Sequence, residues 1–94
     1  MKTRHVVLAP EAADDLIGLY EWVAARASPV VAMGYLGRVE SFLAGLSVGS
    51  ERGQLRSDVR SGLRVVGFER RLTVAFLVDD DLVTVLRVLG AGQD

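Results

Sequence analysis

The chain has 94 residues, half of them hydrophobic, with mean hydropathy +0.30 and a formal net charge of −1. That length suits one small domain, residues 1–94, around a single core, and a sequence pI of about 5.8 gives no overall field for attracting nucleic acid. The absence of cysteine excludes a disulfide framework and thiolate metal sites, which makes the cytoplasm the expected compartment. The opening Met1–His5 runs into only four apolar residues, too few for a signal-peptide core or a membrane span, so no membrane association is expected. High hydropathy at this size means either unusually complete burial or apolar surface kept for a partner.

His5-Val6-Val7-Leu8-Ala9 reads as a short first strand. Pro10 ends it and opens a helix, because its fixed φ and missing N–H suit the first helical position. Glu11, Asp14 and Asp15 set negative charge near the positive end of that helix. Ala12, Leu16, Leu19, Tyr20, Val23 and Ala27 form one stripe at helical spacing. Trp22 lies off the stripe and reads either as rim packing or as an anchor for a partner.

Ser28-Pro29 closes the first helix and opens a second, with Ser as N-cap and Pro in the first turn. So short a joint makes the two helices antiparallel. Ala32, Tyr35, Leu36, Val39, Phe42, Leu43 and Leu46 recur at spacings of three and four, and the helix is expected to end near Gly49. Its other surface carries Gly34, Gly37, Ser41 and Gly45, each glycine costing roughly 1 kcal/mol of helix propensity against alanine. Either tertiary packing overrides that cost or the smooth face lets another chain lie close.

Gly49–Gly62, rich in glycine and serine, reads as a loop. Between Gly49 and Arg71 the arginines 52, 56, 60, 64, 70 and 71 outnumber Glu51, Asp58 and Glu69, which makes either a solvated loop or a basic rim contacting an acidic partner or phosphates. Glu69-Arg70-Arg71 and Asp79-Asp80-Asp81 divide Gly62–Leu89 into three short apolar runs, the pattern of an antiparallel meander.

A period of two assigns Leu63, Val65 and Gly67, then Leu72, Val74, Phe76 and Val78, then Leu82, Thr84, Leu86 and Val88 to a face covered by the helices. Arg64, Val66, Phe68, Leu77, Val83, Val85 and Arg87 then fall on the opposite, exposed face. Gly90–Asp94 is expected to be a flexible end. The expected fold is α+β: strand-helix-helix-strand-strand-strand, with the helical hairpin packed on one face of a largely antiparallel sheet.

The chemistry on offer is narrow. His5 is the one imidazole and no nucleophile is placed beside it. Asp79-Asp80-Asp81 reads as a solvated turn, since a calcium loop needs further ligands at fixed spacings. The glycine spacings match no nucleotide fingerprint, so no cofactor is expected. Arg64 and Arg87 would flank the central strand about 10 Å apart, able to grip a phosphate or carboxylate, or simply to lie over their neighbours. An RNA-cleaving site would add a proton donor and acceptor, and the residues after Leu89 offer none.

Several stretches carry a family likeness: Ala12-Ala13-Asp14-Asp15-Leu16 with Leu19-Tyr20, Ala32 and Tyr35, Leu46 and Gly53, Asp58-Val59-Arg60-Ser61-Gly62-Leu63-Arg64, and Val85-Leu86-Arg87-Val88-Leu89. In order and spacing they resemble the RelE/ParE superfamily of bacterial toxins from type II toxin–antitoxin modules, the ParE branch above all. The RelE branch cleaves mRNA with arginines at positions like Arg64 and Arg87, helped by a terminal Tyr or His. Here Gly90 stands where that His often does.

The ParE branch implies instead a non-enzymatic inhibitor of DNA gyrase, held in check by a cognate ParD-like antitoxin in a toxin–antitoxin hetero-oligomer, with no direct nucleic-acid binding. Arg60, Arg64, Val66, Phe68, Leu77, Val83, Val85 and Arg87 are the expected partner-binding residues. A ribosome-dependent mRNA interferase, or a non-toxic copy that only binds antitoxin, are the alternatives.

Overall fold

The computed structural model describes residues 3–90. Its elements run β1 (His5–Leu8), α1 (Pro10–Arg26), α2 (Pro29–Gly45), β2 (Gln54–Leu55), β3 (Leu63–Phe68), β4 (Leu72–Val78) and β5 (Leu82–Gly90). The five strands form one sheet in the order β1-β5-β4-β3-β2. The β1–β5 pair is parallel and the other three are antiparallel. Both helices pack on one face of this sheet, where Ala12, Leu16, Tyr35, Leu36, Val39, Leu43 and Leu46 meet Leu72, Val74, Phe76, Val83, Val85 and Val88 in one buried cluster. This is the expected α+β arrangement, with one strand more than the sequence suggested.

Helix boundaries follow their local chemistry. Pro10 opens α1 without a side-chain cap, while at α2 the Ser28 hydroxyl accepts the Val31 N–H at 3.1 Å. Ala27, expected in the apolar stripe, is instead the exposed C-cap of α1. The second helix stops at Gly45, short of Gly49: Leu46 and Ser47 donate to the carbonyls of Leu43 and Ala44, a tightened last turn that still buries Leu46 completely.

The extra strand lies in the segment expected to be loop. Gln54 and Leu55 pair with Val65 and Arg64, and Gly53 brings the chain in with φ +77°. A Cβ there would fall on the Val65 carbonyl oxygen, so only glycine fits this approach. Gly90, expected in a flexible end, is the last residue of β5, and the rest of that expected end, residues 91–94, lies outside the described residues.

The assignment of faces needs correcting, and turn length is the reason. Three residues, Glu69–Arg71, separate the paired Phe68 and Leu72, so like-numbered parities of β3 and β4 share a face. Four residues separate Val78 from Val83, so parity switches across the second turn; a bulge then inserts Leu86 and switches it back, with Phe76 opposite Val85 but Ala75 opposite Arg87. Arg64, Val66 and Phe68 therefore turn toward the helices, together with Val83 and Val85. Val65, Gly67, Leu82 and Thr84, expected under the helices, lie on the other side. Leu63 is also on that side, buried apart from the main cluster.

Candidate functional site

The expected exposed patch does not form as one surface. Val83 and Val85 have no exposed area and belong to the core. Phe68 stacks on Phe42 of α2 at 4.8 Å between ring centroids, and Val66 packs beside it against the core. Leu77 remains partly exposed on the opposite side of the sheet, and Arg60 is exposed in the turn before β3. Arg64 opposes Phe76 whereas Arg87 opposes Ala75, so the two arginines leave the backbone toward different faces, although the Arg87 guanidinium ends against α1.

Arg87 is also occupied. Its Nε and Nη2 donate to the two carboxylate oxygens of Asp15 on α1 at 2.8 and 2.9 Å, and Asp15 Oδ2 accepts the Val88 N–H at 2.8 Å. The Arg87 hydrogen bonds hold the Asp15 carboxyl below its ordinary pKa, against an opposing push from burial and with further help from the Val88 N–H. Sequence reading took Asp15 as a helix-end charge, and no local pattern reveals a partner 72 residues away.

A concavity lies elsewhere, between the helical hairpin and the β3–β4 turn. It is a groove of about 730 Å³. Leu19, Val23, Val31 and Leu72 make it apolar. Trp22, 46% exposed and stacked under the Arg26 guanidinium at 4.1 Å, forms one rim.

Across the groove Arg38 donates two hydrogen bonds to the Glu69 carboxylate, at 2.9 and 3.1 Å, and Arg71 stands beside them. This pair also borders a shallow hollow over Gly34, Gly37 and Ser41, and so divides the two. Tyr35 lines the groove with only 8% of its surface exposed, and its buried hydroxyl has no hydrogen-bond partner among the described residues. Burial pushes its phenol pKa up; Glu69 adds to that, while Arg71 and Arg38 oppose it. At neutral pH the hydroxyl is therefore a protonated donor.

Sequence reading missed this groove. The available signal was Arg38, which with Glu40 makes the only charges on an otherwise apolar helix. Trp22, read as a rim residue or an anchor, stands at its edge. Among the described residues no cluster of His, Asp and Glu suits a metal ion, and no helix is long and apolar enough to cross a membrane.

Comparison with curated proteins finds no match. Among solved structures the fold is similar to one titled "Chromosomal ParDE TA system from P. aeruginosa", with a TM-score of 0.79 and 22% identity over 92% of this chain and 94% of that one. The sequence profile of the family described as "ParE toxin of type II toxin-antitoxin system, parDE" matches residues 6–94. With nearly its whole length matched, the chain belongs to the ParE toxin family of type II toxin–antitoxin systems.

Proposed function

We propose that this toxin acts in the cytoplasm by binding and inhibiting DNA gyrase, without cleaving nucleic acid, and that a ParD-like antitoxin neutralises it in a hetero-oligomeric complex. Family membership supports the reading, and the state of the two arginines carries it against RNA cleavage. Arg87 is taken by Asp15, which accepts two hydrogen bonds from its guanidinium. A cation already paired in this way is not poised beside Arg64 to hold a scissile phosphate.

Arg60, Arg64, Val66, Phe68, Leu77 and Arg87 remain the proposed contacts with partners. They lie on both sides of the sheet, so a partner that reaches them all has to wrap around it. Val83 and Val85 drop out of that set because they are fully buried.

The test is a supercoiling assay with purified gyrase and relaxed plasmid. Added toxin is expected to block supercoiling or trap cleaved DNA, and antitoxin to reverse the effect. Full gyrase activity at excess toxin would overturn the target. New 5′ ends in primer extension on translated mRNA would establish the interferase alternative, and unimpaired growth on induction without antitoxin the non-toxic one.

A further inference from the structure

We infer that the open edge of β1 pairs with the same edge of a second copy of this chain, antiparallel about a two-fold axis at Val7. The product is a weak dimer in which two five-stranded sheets run on as one.

The hydrogen-bond parity of β1 carries the inference. His5 donates to the Asp81 carbonyl and Ala9 to the Val85 carbonyl, at 2.9 Å each, so the odd-numbered backbone groups of β1 face β5. The even-numbered ones face outward. At Arg4 the outward N–H is spent on the Ser47 carbonyl at 2.7 Å. Val6 and Leu8 have no such cover: among the described residues β1 pairs with β5 alone, which leaves their N–H and carbonyl groups along a free edge.

Those groups fit a copy of themselves. With Val7 on the axis, Val6 of one copy meets Leu8 of the other and Leu8 meets Val6, closing a hydrogen bond at each of these N–H and carbonyl groups. The next pair outward sets Arg4 against Pro10. There the ladder stops, because the Arg4 N–H is taken and Pro10 has none. The free edge is as long as a self-pair needs.

Side chains agree with that register. Nothing on His5–Leu8 carries a fixed charge, the usual guard of an exposed edge, and Val7 and Leu8 are 41% and 40% exposed. Across the axis the two Val7 side chains form a non-hydrogen-bonded pair, the closer kind, on the face away from the helices. Leu8 meets Val6 of the second copy on the helix side, where Val6 already packs against the core. An uncharged, self-complementary edge suits a copy of the chain better than an acidic or basic partner. The opposite edge strand, β2, is two residues long and offers no equivalent.

The helices leave room. The first packs chiefly on β5, one strand in from the edge. In the dimer the two copies of α1 stand three interstrand spacings apart, about 14 Å, beyond the roughly 8–10 Å of helices in contact. Four residues a side bury far less than the roughly 1,200 Å² of a stable interface, so the dimer is transient and forms at high concentration.

The experiment is sedimentation velocity with amide hydrogen exchange on the purified full chain, free of antitoxin, from about 10 μM to about 1 mM, the span of weak association. A monomer–dimer equilibrium is expected, in which the Val6 and Leu8 amides gain protection as concentration rises while the Val7 amide, turned toward β5, is protected throughout. Val7→Lys sets like charges across the axis and is expected to weaken dimerisation about tenfold or more with wild-type circular dichroism. Val7→Thr, β-branched and neutral, is expected to stay within about threefold of wild type. A monomer at the highest concentration would overturn the proposal. So would a dimer whose Val6 and Leu8 amides exchange as fast as the monomer's, because association would then run through another surface. Protection of those amides only with antitoxin bound would give the edge to that partner and overturn it as well.

Discussion

Asp15 and Arg87 fasten the first helix to the last strand: two parallel hydrogen bonds of 2.8 and 2.9 Å join them, and the same carboxylate accepts the Val88 N–H. Asp15→Ala removes all three bonds and leaves a half-buried N–H unpaired, so it is expected to cost roughly 1–3 kcal/mol. The sign of the pH dependence follows from the lowered carboxyl pKa. A carboxylate favoured by folding lends stability in full above its ordinary value of 3.8 and loses it as pH falls through the depressed folded value. The melting-temperature gap between wild type and Asp15→Asn should therefore be wide at pH 7 and shrink toward pH 3.

The sheet register puts two valines at neighbouring positions of β1 and β5 on opposite faces. Val85 is fully buried under the helices, while Val7, on β1 and opposite Thr84, is 41% exposed on the other face. Val85→Asp puts an unpaired charge in the core and should abolish the cooperative melt. Val7→Asp should cost about 1 kcal/mol or less, as a surface strand change does. Chemical denaturation of both variants checks the pair.

Most of the fold was legible because it is written in local patterns. Ser28-Pro29 marks the helix junction, the apolar spacing from Ala32 to Leu46 marks the buried face of α2, and the two charged triplets mark the hairpin turns. Face assignment was not legible, because it depends on whether an odd or even number of residues lies between paired positions and on one bulge at Leu86. Neither leaves a signature in composition. The candidate groove stayed hidden for a related reason: Tyr35, Arg38, Glu69 and Arg71 come together only when α2 crosses the β3–β4 turn.

That turn holds Glu69 and Arg70 at φ 50° and 62°, the signs of a type I′ turn, closed by the Arg71 N–H donating to the Phe68 carbonyl at 3.1 Å. Non-glycine residues occupy this region at a cost of about 1 kcal/mol. Arg70→Gly relieves it without touching the Arg38–Glu69 pair, and should raise the melting temperature by about 4–8 °C in a domain of this size. A lower melting temperature would show that the Arg70 side chain stabilises more than its backbone costs.

The smooth side of α2 gives a contrasting test. A Cβ added at Gly34 or Gly37 meets nothing within 4 Å, so alanine fits both sites without a clash. Each substitution should stabilise the protein by about 0.8–1.0 kcal/mol through helix propensity alone. Neither glycine is among the proposed partner contacts, and both lie in the shallow hollow beside the Arg38–Glu69 pair. The double variant Gly34→Ala, Gly37→Ala is therefore expected to melt higher than wild type and to bind antitoxin with unchanged affinity. A fall in affinity despite the higher melting temperature would extend the contact surface across the helix, because a methyl group that fits the free protein can then be obstructing only a partner.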